Sequence, residues 1–298
     1  MRFLIVFFFF LSAGCLDVSK TLVDSTGENN EVIFVANDLL WEQSVGDLVQ
    51  QVFGVNVQGV GQQELLFDII RISPKAFNTL LKSHKNIIII SEGVESFVEN
   101  NKWASNQFVA QLNWNNKKRE TINKLIELRG VILSNEIDFL RRVISKKSQK
   151  KTERKISDNF GVSCLIPEEY NIVNNDSVLF WANYDPPKSD EIKNILMFSF
   201  QPKTSNLQTE VLYKTDSVLG KTILGKKEGS YVKIETEYPP YYFENTYKGL
   251  WKLENGFMGG PFVLKTHFIH NKIVVNIGLV FAPQNSKRKY IKEFEAIL

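Results

Sequence analysis

A nine-residue apolar run near the start decides which part of this chain can fold. Arg2 supplies one positive charge, and Phe3-Leu4-Ile5-Val6-Phe7-Phe8-Phe9-Phe10-Leu11 follows without interruption. Then come Ser12-Ala13-Gly14-Cys15. A charged lead, a short apolar stretch and small residues before a break have the layout of a secretory signal. The run is too short to cross a bilayer, which takes roughly 20 apolar residues. As a buried helix it would show phenylalanine rings on every face, with nothing to cap it. Residues 1–14 are therefore read as a signal peptide, outside the fold.

Cys15 sharpens that reading. Small residues running directly into a cysteine look like a bacterial lipobox, in which the cysteine becomes the first mature residue and carries acyl chains such as palmitate. Ser12 stands where leucine is more usual. A plain cleaved signal with an incidental cysteine is the rival, and it leads to the same compartment. The expected address is the cell envelope, lipid-anchored to the outer or inner membrane. Only Asp17 among the residues just after Cys15 is acidic, so a periplasm-facing position is expected over surface display.

Beyond the signal there is enough chain for one large domain or two ordinary ones. Apolar residues make up 43% of the 298, and there are 22 Phe, so a real core with aromatic-rich strands is expected. The net charge of +3 is too small to imply nucleic acid. Besides Cys15 there is only Cys164, in Gly161-Val162-Ser163-Cys164-Leu165-Ile166-Pro167. With Cys15 acylated no intrachain disulfide is possible, and Cys164 reads as a buried, inert thiol.

Hydrophobic patterning divides the chain. Residues 15–30 are mostly polar and read as a lipidated tether. Strands are expected at 31–36, 65–72, 86–91 and 108–114, with helices at 40–53, 75–82 and 117–144, the last with Gly130 as a candidate break. Asn37-Asp38 opens the first helix. The four consecutive isoleucines Ile87–Ile90 suggest a strand buried on both faces. This makes residues 31–156 an N-terminal α+β domain ending in a long helix and a basic linker. Residues 157–298 form a second α+β domain with an antiparallel sheet and a closing helix. Its strands are expected at 162–166, 170–173, 177–184, 194–201, 231–237, 246–254, 262–270 and 272–282, and its helices at 206–219 and 286–298. The expected fold class is α+β, two α/β-layer units with mainly antiparallel sheets.

Between Arg141 and Lys155 lie eight positive charges and one negative. The plain reading is a solvated helix end followed by a linker, since cations suit a helix C-terminus. The functional reading is contact with anionic lipid headgroups or an acidic partner.

The segment Lys248–Phe262 contains the strongest local signal. Gly259-Gly260-Pro261 between two strand-like runs reads as a tight turn with a glycine at positive φ. Upstream lies Tyr238-Pro239-Pro240-Tyr241-Tyr242-Phe243. If Tyr241, Tyr242, Trp251 and Phe257 converge, they offer a recessed apolar platform for a ligand. A packed hairpin is the simpler alternative, because aromatics in β proteins are mostly core.

The chain also resembles an uncharacterised lipoprotein family of Bacteroidetes, a domain-of-unknown-function family (DUF4837-like). The residues that carry the resemblance are Cys15, Asn37-Asp38-Leu39-Leu40-Trp41, Leu66-Phe67-Asp68, Ile72-Ser73-Pro74-Lys75-Ala76-Phe77-Asn78 and His84-Lys85-Asn86-Ile87. In the second half they are Gly249-Leu250-Trp251, Met258-Gly259-Gly260-Pro261-Phe262 and Glu295-Ala296-Ile297-Leu298. The resemblance implies an envelope location and a Bacteroidetes origin, and no activity.

Signatures of catalysis are missing. There is no Gly-x-Ser-x-Gly elbow, no phosphate-binding Gly-x-x-x-x-Gly-Lys-Ser/Thr and no Gly-x-Gly-x-x-Gly. His267 and His270 lie three apart on an expected strand and face opposite sides, so no metal is expected there. His84 ends a short helix. Adjacent Glu168 and Glu169 sit at a turn. A glycosidase built on two distant carboxylates stays open, because their separation is three-dimensional. Asp24-Ser25-Thr26, Asp176-Ser177-Val178 and Asp216-Ser217-Val218 match a short O-glycosylation pattern of Bacteroidetes envelope proteins. Ser25 is expected to be the most accessible acceptor, with Ser177 next. The expected function is a membrane-anchored envelope protein that binds an unidentified envelope protein or small ligand, without cofactor. The alternative is a hydrolase of a cell-envelope polymer or glycan.

Overall fold

The computed structural model describes residues 21–298. The signal segment, Cys15 and the first part of the tether lie outside the described residues. None of the described helices is long and apolar enough to cross a membrane.

The first sheet grows around β1 (Glu31–Ala36). Asn37 caps the following helix by accepting from the Leu39 N–H at 2.9 Å, as its side chain suits an N-cap. That helix runs as α1 (Asp38–Leu40), a π turn at Trp41–Val45, and α2 (Gly46–Phe53). β2 (Asp68–Ile72), α3 (Thr79–Lys82), β3 (Asn86–Ser91), β4 (Phe97–Asn100), β5 (Phe108–Asn113) and α4 (Lys118–Lys146) follow. The strand order is β2-β1-β3-β5-β4. In β3 the isoleucines alternate: Ile88 and Ile90 face α2 and α4, while Ile87 joins a smaller cluster with Ile33, Val35 and Val109. Burial on both faces is what a continuous apolar run requires. α4 passes Gly130 unbroken.

The second sheet is antiparallel throughout. Its elements are α5 (Lys150–Phe160), β6 (Asn171–Asn175), β7 (Leu179–Tyr184), β8 (Ile192–Phe200), α6 (Leu207–Thr222), β9 (Tyr231–Ile234), β10 (Tyr241–Phe243), β11 (Thr246–Glu254), β12 (Gly259–Ile269), β13 (Lys272–Phe281) and α7 (Arg288–Ile297). The order is β10-β11-β12-β13-β8-β7-β6, with β9 paired to the far end of β11. One face of the sheet packs Val211 and Leu219 of α6. The other packs Ile156 and Phe160 of α5 and Tyr290, Ile291, Phe294 and Ile297 of α7. β13 is buried along nearly its whole length because helices cover both faces.

The fold class is α+β, as expected. Most strand pairings across the two sheets are antiparallel, but the first sheet departs from that rule. β1 pairs parallel with β2 and β3, and β3 with β5; only β4 runs the other way. The physical reason is the connection from β1 to β2 through α1 and α2, a crossover long enough for a parallel return.

Three other expectations change. The boundary expected at 156/157 falls inside α5, whose buried residues belong to the second core. Residues 162–166 are not a strand but an irregular segment that buries Val162, Cys164 and Ile166, held by the Leu165 N–H to the Ile297 carbonyl at 3.0 Å. The tether is docked from Asp24 onward: the Ser25 N–H donates to the Ser105 carbonyl at 3.1 Å and the Thr26 N–H to that of Ser83 at 2.8 Å.

Candidate functional site

α7 is the element that ties the two units together. Its first turn has no cap of its own. Glu64, from the loop before β2, supplies one: it accepts from the Lys287 N–H at 2.9 Å, the Arg288 N–H at 3.0 Å and the Ser286 hydroxyl. Burial alone pushes the Glu64 carboxyl up. The donors from Ser286, Arg288 and Lys287 together outweigh it and hold the group below its usual 4.5. In mid-helix Lys292 pairs with Glu136 of α4, with side chains only 4% and 2% exposed. Glu136 also accepts from the Asn30 N–H at 2.9 Å and the Asn86 amide at 3.0 Å. Burial draws the Lys292 ammonium below the ordinary lysine range, against the pull of Glu136. At the far end Arg141 donates to the Ala296 carbonyl at 3.2 Å and Lys265 to the Glu295 carbonyl at 3.0 Å. Cations there complement the helix dipole.

Beside α7 a cleft of about 570 Å³ opens between the units. Glu28, Asp68 and Ile144 line one side; Glu169, Lys193 and Glu293 line the other. Lys193 sits 2.7 Å from Glu293 Oε1 and 3.4 Å from Glu191 Oε1, over the rings of Tyr170 and Tyr184. The Tyr290 hydroxyl donates to Glu191 at 2.6 Å. One ammonium thus serves two carboxylates. Burial raises the Glu293 carboxyl, and the negative charge of Glu191 and Glu169 outlasts part of the relief from Lys193. Burial opposes the charge on Lys193, yet Glu293 and Glu191 together raise it. The cleft therefore holds a fixed positive charge beside a carboxyl that keeps a proton more readily than usual. Such a group can donate a hydrogen bond or exchange a proton with a bound molecule. The Tyr170 hydroxyl, buried nearby, has no partner among the described residues.

The aromatic platform does not assemble. Trp251 is buried in the core, its indole N–H donating to the Val280 carbonyl at 3.1 Å. Tyr241 and Tyr242 are consecutive strand residues and point to opposite faces. Tyr242 packs on Tyr247, with ring centres 4.6 Å apart. Tyr241 lines a separate cavity of about 340 Å³ with Lys248 and Arg288. Phe257 is 91% exposed at the hairpin tip. Gly259, Gly260 and Pro261 are strand residues paired with Lys252, Trp251 and Leu250. Neither glycine has positive φ; Asn255, at φ 54°, takes the turn. The tip fell earlier in the chain because Asn tolerates the left-handed region almost as glycine does.

Cys164 is buried, and desolvation pushes its thiol up to about 12, which leaves it inert at neutral pH. Burial and neighbouring Lys265 lower the His267 imidazole, and its Nε2 has no partner among the described residues. His270 lies in the β12–β13 turn. His84 is buried, with Nε2 3.3 Å from Glu31. The described residues contain no group of three His, Cys, Asp or Glu side chains placed to hold a metal. Ser25 is half-buried, its hydroxyl donating to the Asn106 carbonyl at 3.3 Å. Ser177 is exposed in the β6–β7 turn, so of the two serines expected as acceptors it is the more accessible. Ser217 is within α6.

No local pattern announced Glu64, Lys193 or Glu293. A readable trace did exist for Glu136: it continues the apolar stripe Leu125, Leu128 and Ile132 at helical spacing, where a charge demands a partner.

Comparison with known proteins follows the same two-unit division. Residues 25–148 match a domain of unknown function (DUF8532), and residues 148–298 match a domain of unknown function (DUF4837). No curated protein matches the chain. A crystal structure from Bacteroides thetaiotaomicron VPI-5482 is similar over 44% of this chain and 41% of that one, at 14% identity and a TM-score of 0.20. The match spans less than half of that protein, and a likeness this slight carries no argument about fold or function. With the DUF4837 match spanning 148–298, half of its length, the chain belongs to the DUF4837 family.

Proposed function

We propose that the protein is a lipid-anchored envelope protein of Bacteroidetes type that binds a small ligand or an envelope partner in the cleft beside α7. Acyl chains on Cys15 hold it to the outer or inner membrane, facing the periplasm. The observation that carries the binding reading is the cleft itself. At about 570 Å³ it has the size of a small-molecule site, and both units line it. Its carboxylates Glu191 and Glu293 are both engaged by Lys193, an arrangement suited to recognition. Lys193→Met removes the central charge, so the variant should lose what the wild-type lipoprotein retains through purification from solubilised membranes. Equal retention by both places binding elsewhere.

Anchoring is tested separately. Stable attachment takes more than one acyl chain, each buried CH₂ contributing about 0.8 kcal/mol. Cys15→Ser should leave the protein soluble or unprocessed; a variant of normal mature mass in the membrane fraction refutes the anchor.

A second reading, a hydrolase of a cell-envelope polymer or glycan, is favoured by one observation. Glu293 has a raised carboxyl and faces Glu191 across Lys193, and a general acid beside a second carboxylate is what glycoside hydrolysis uses. Release of reducing ends from envelope polysaccharide, abolished in Glu293→Gln, would favour this reading over binding.

A further inference from the structure

A second recess, of about 230 Å³, lies where the docked tether meets α4 and the loop before β5. Its charges are unevenly used. Glu136 at its floor is committed to Lys292, Asn30 and Asn86. Asp138 at its rim is engaged by Arg141 at 3.3 Å. The two remaining ionic groups are Lys85 and Arg142, with Nζ 5.0 Å and the guanidinium carbon 6.0 Å from the centre of the Phe139 ring. Lys85 donates to the neutral Asn29 amide at 2.7 Å. Among the described residues neither cation forms an ion pair, and the Arg142 guanidinium donates to no acceptor. The side chains of Asn100, Asn106 and Asn135 also line the recess and make no hydrogen bond to the described protein.

We propose that this recess binds a polyol phosphate. Both cations approach the same aromatic ring and line the same recess, so an oxyanion bound there is attracted by two charges that no carboxylate of the described protein pairs. Arg142 presents a planar fork of donors matched to phosphate oxygens, and Lys85 adds a point charge. The three free amides each offer a donor and an acceptor, the complement of neighbouring hydroxyls. A bare anion would use the cations and leave the amides idle.

The same chemistry occurs in a lipid headgroup and in a soluble sugar phosphate. Asn29 lines the recess, and Asp24 begins the docked chain beside it. Cys15 stands nine residues before Asp24, a reach of at most about 30 Å at 3.3–3.6 Å per residue. A headgroup of the anchoring membrane is therefore within reach. That last step rests on the anchor at Cys15; the recess does not.

The test is calorimetric titration of the full chain with glycerol 1-phosphate, with glycerol as the uncharged control. Binding of the phosphate ester but not glycerol is expected, weakened at least tenfold in Lys85→Gln/Arg142→Gln. Asn135→Asp keeps both cations and adds a negative charge, so it should also weaken binding while its melting temperature reports folding. No binding by the wild type, or equal binding by folded variants, overturns the proposal. Flotation of the unlipidated Cys15→Ser chain then identifies the source. Capture by phosphatidylglycerol vesicles, lost with Arg142→Gln, assigns a lipid headgroup; binding of the soluble ester alone assigns a free sugar phosphate. The mass of the mature N-terminus of the wild type, which reads acylation of Cys15 directly, judges the anchor independently of either result.

Discussion

Gly260 is glycine because there is no room for anything larger. A Cβ there would stand 2.1 Å from the Val280 carbonyl oxygen, which already accepts the Trp251 indole N–H. The sequence marks the position as special, but it suggests a positive φ when the constraint is a close backbone approach. Gly260→Ala should destabilise the fold by about 1–3 kcal/mol, the usual cost of overpacking. Chemical denaturation against Phe257→Ser, at the exposed hairpin tip and expected within about 0.5 kcal/mol of wild type, checks it. The Lys292–Glu136 pair makes the complementary case. Lys292→Met leaves the Glu136 carboxylate buried without its cation, a loss of about 3–5 kcal/mol. Glu136→Leu combined with Lys292→Met should recover only part of it, because the apolar pair carries no buried charge but leaves the buried Asn30 N–H without its acceptor. A double variant no more stable than the single one contradicts this account of the pair.

At the scale of elements, α7 depends on a residue that lies more than two hundred positions earlier. Its amphipathic pattern is local, so the helix and its buried face are readable from Tyr290, Ile291, Phe294 and Ile297. The cap is not, because Glu64 reaches Ser286–Arg288 only through the tertiary fold. Glu64→Gln should cost about 0.5–2 kcal/mol at neutral pH, the range for losing a helix cap. The folded Glu64 carboxyl lies below its usual 4.5, so its contribution is present above that value and is lost as pH falls through the lower folded value. The stability gap between wild type and Glu64→Gln should therefore narrow in acid; a gap constant from pH 7 down to pH 2 argues against an ionised cap. α5 shows the reverse failure. Its Lys150, Lys151, Arg154 and Lys155 read as linker, whereas they form the solvent face of a helix whose Ile156 and Phe160 are core. Two buried residues are too few to show a period through so many charges.

For the whole molecule, the central question is how the two units are held. They meet through α7, with Glu64, Asp68 and Glu136 contributed by the first unit and Arg288 and Lys292 by the second. These ties share one helix, so unfolding should be a single transition, with calorimetric and van't Hoff enthalpies equal. In Lys292→Met the transition should broaden or divide, because the interface loses its buried charge pair. A wild type that already unfolds in two steps contradicts this coupling.

What the sequence determined by itself is what depends on neighbouring residues. Strand β3 lies at 86–91 and β11 at 246–254 as read, because run length and alternation are local properties. The N-cap at Asn37 and the inert environment of Cys164 belong to the same class. Tertiary structure alone decided the parallel order of the first sheet, the buried pair, the shared cap and the two recesses. Each depends on groups that chain neighbours never bring together. A charge separated from its partner by 156 residues leaves no pattern in sequence, since its energy arises only when both lose water in the same place.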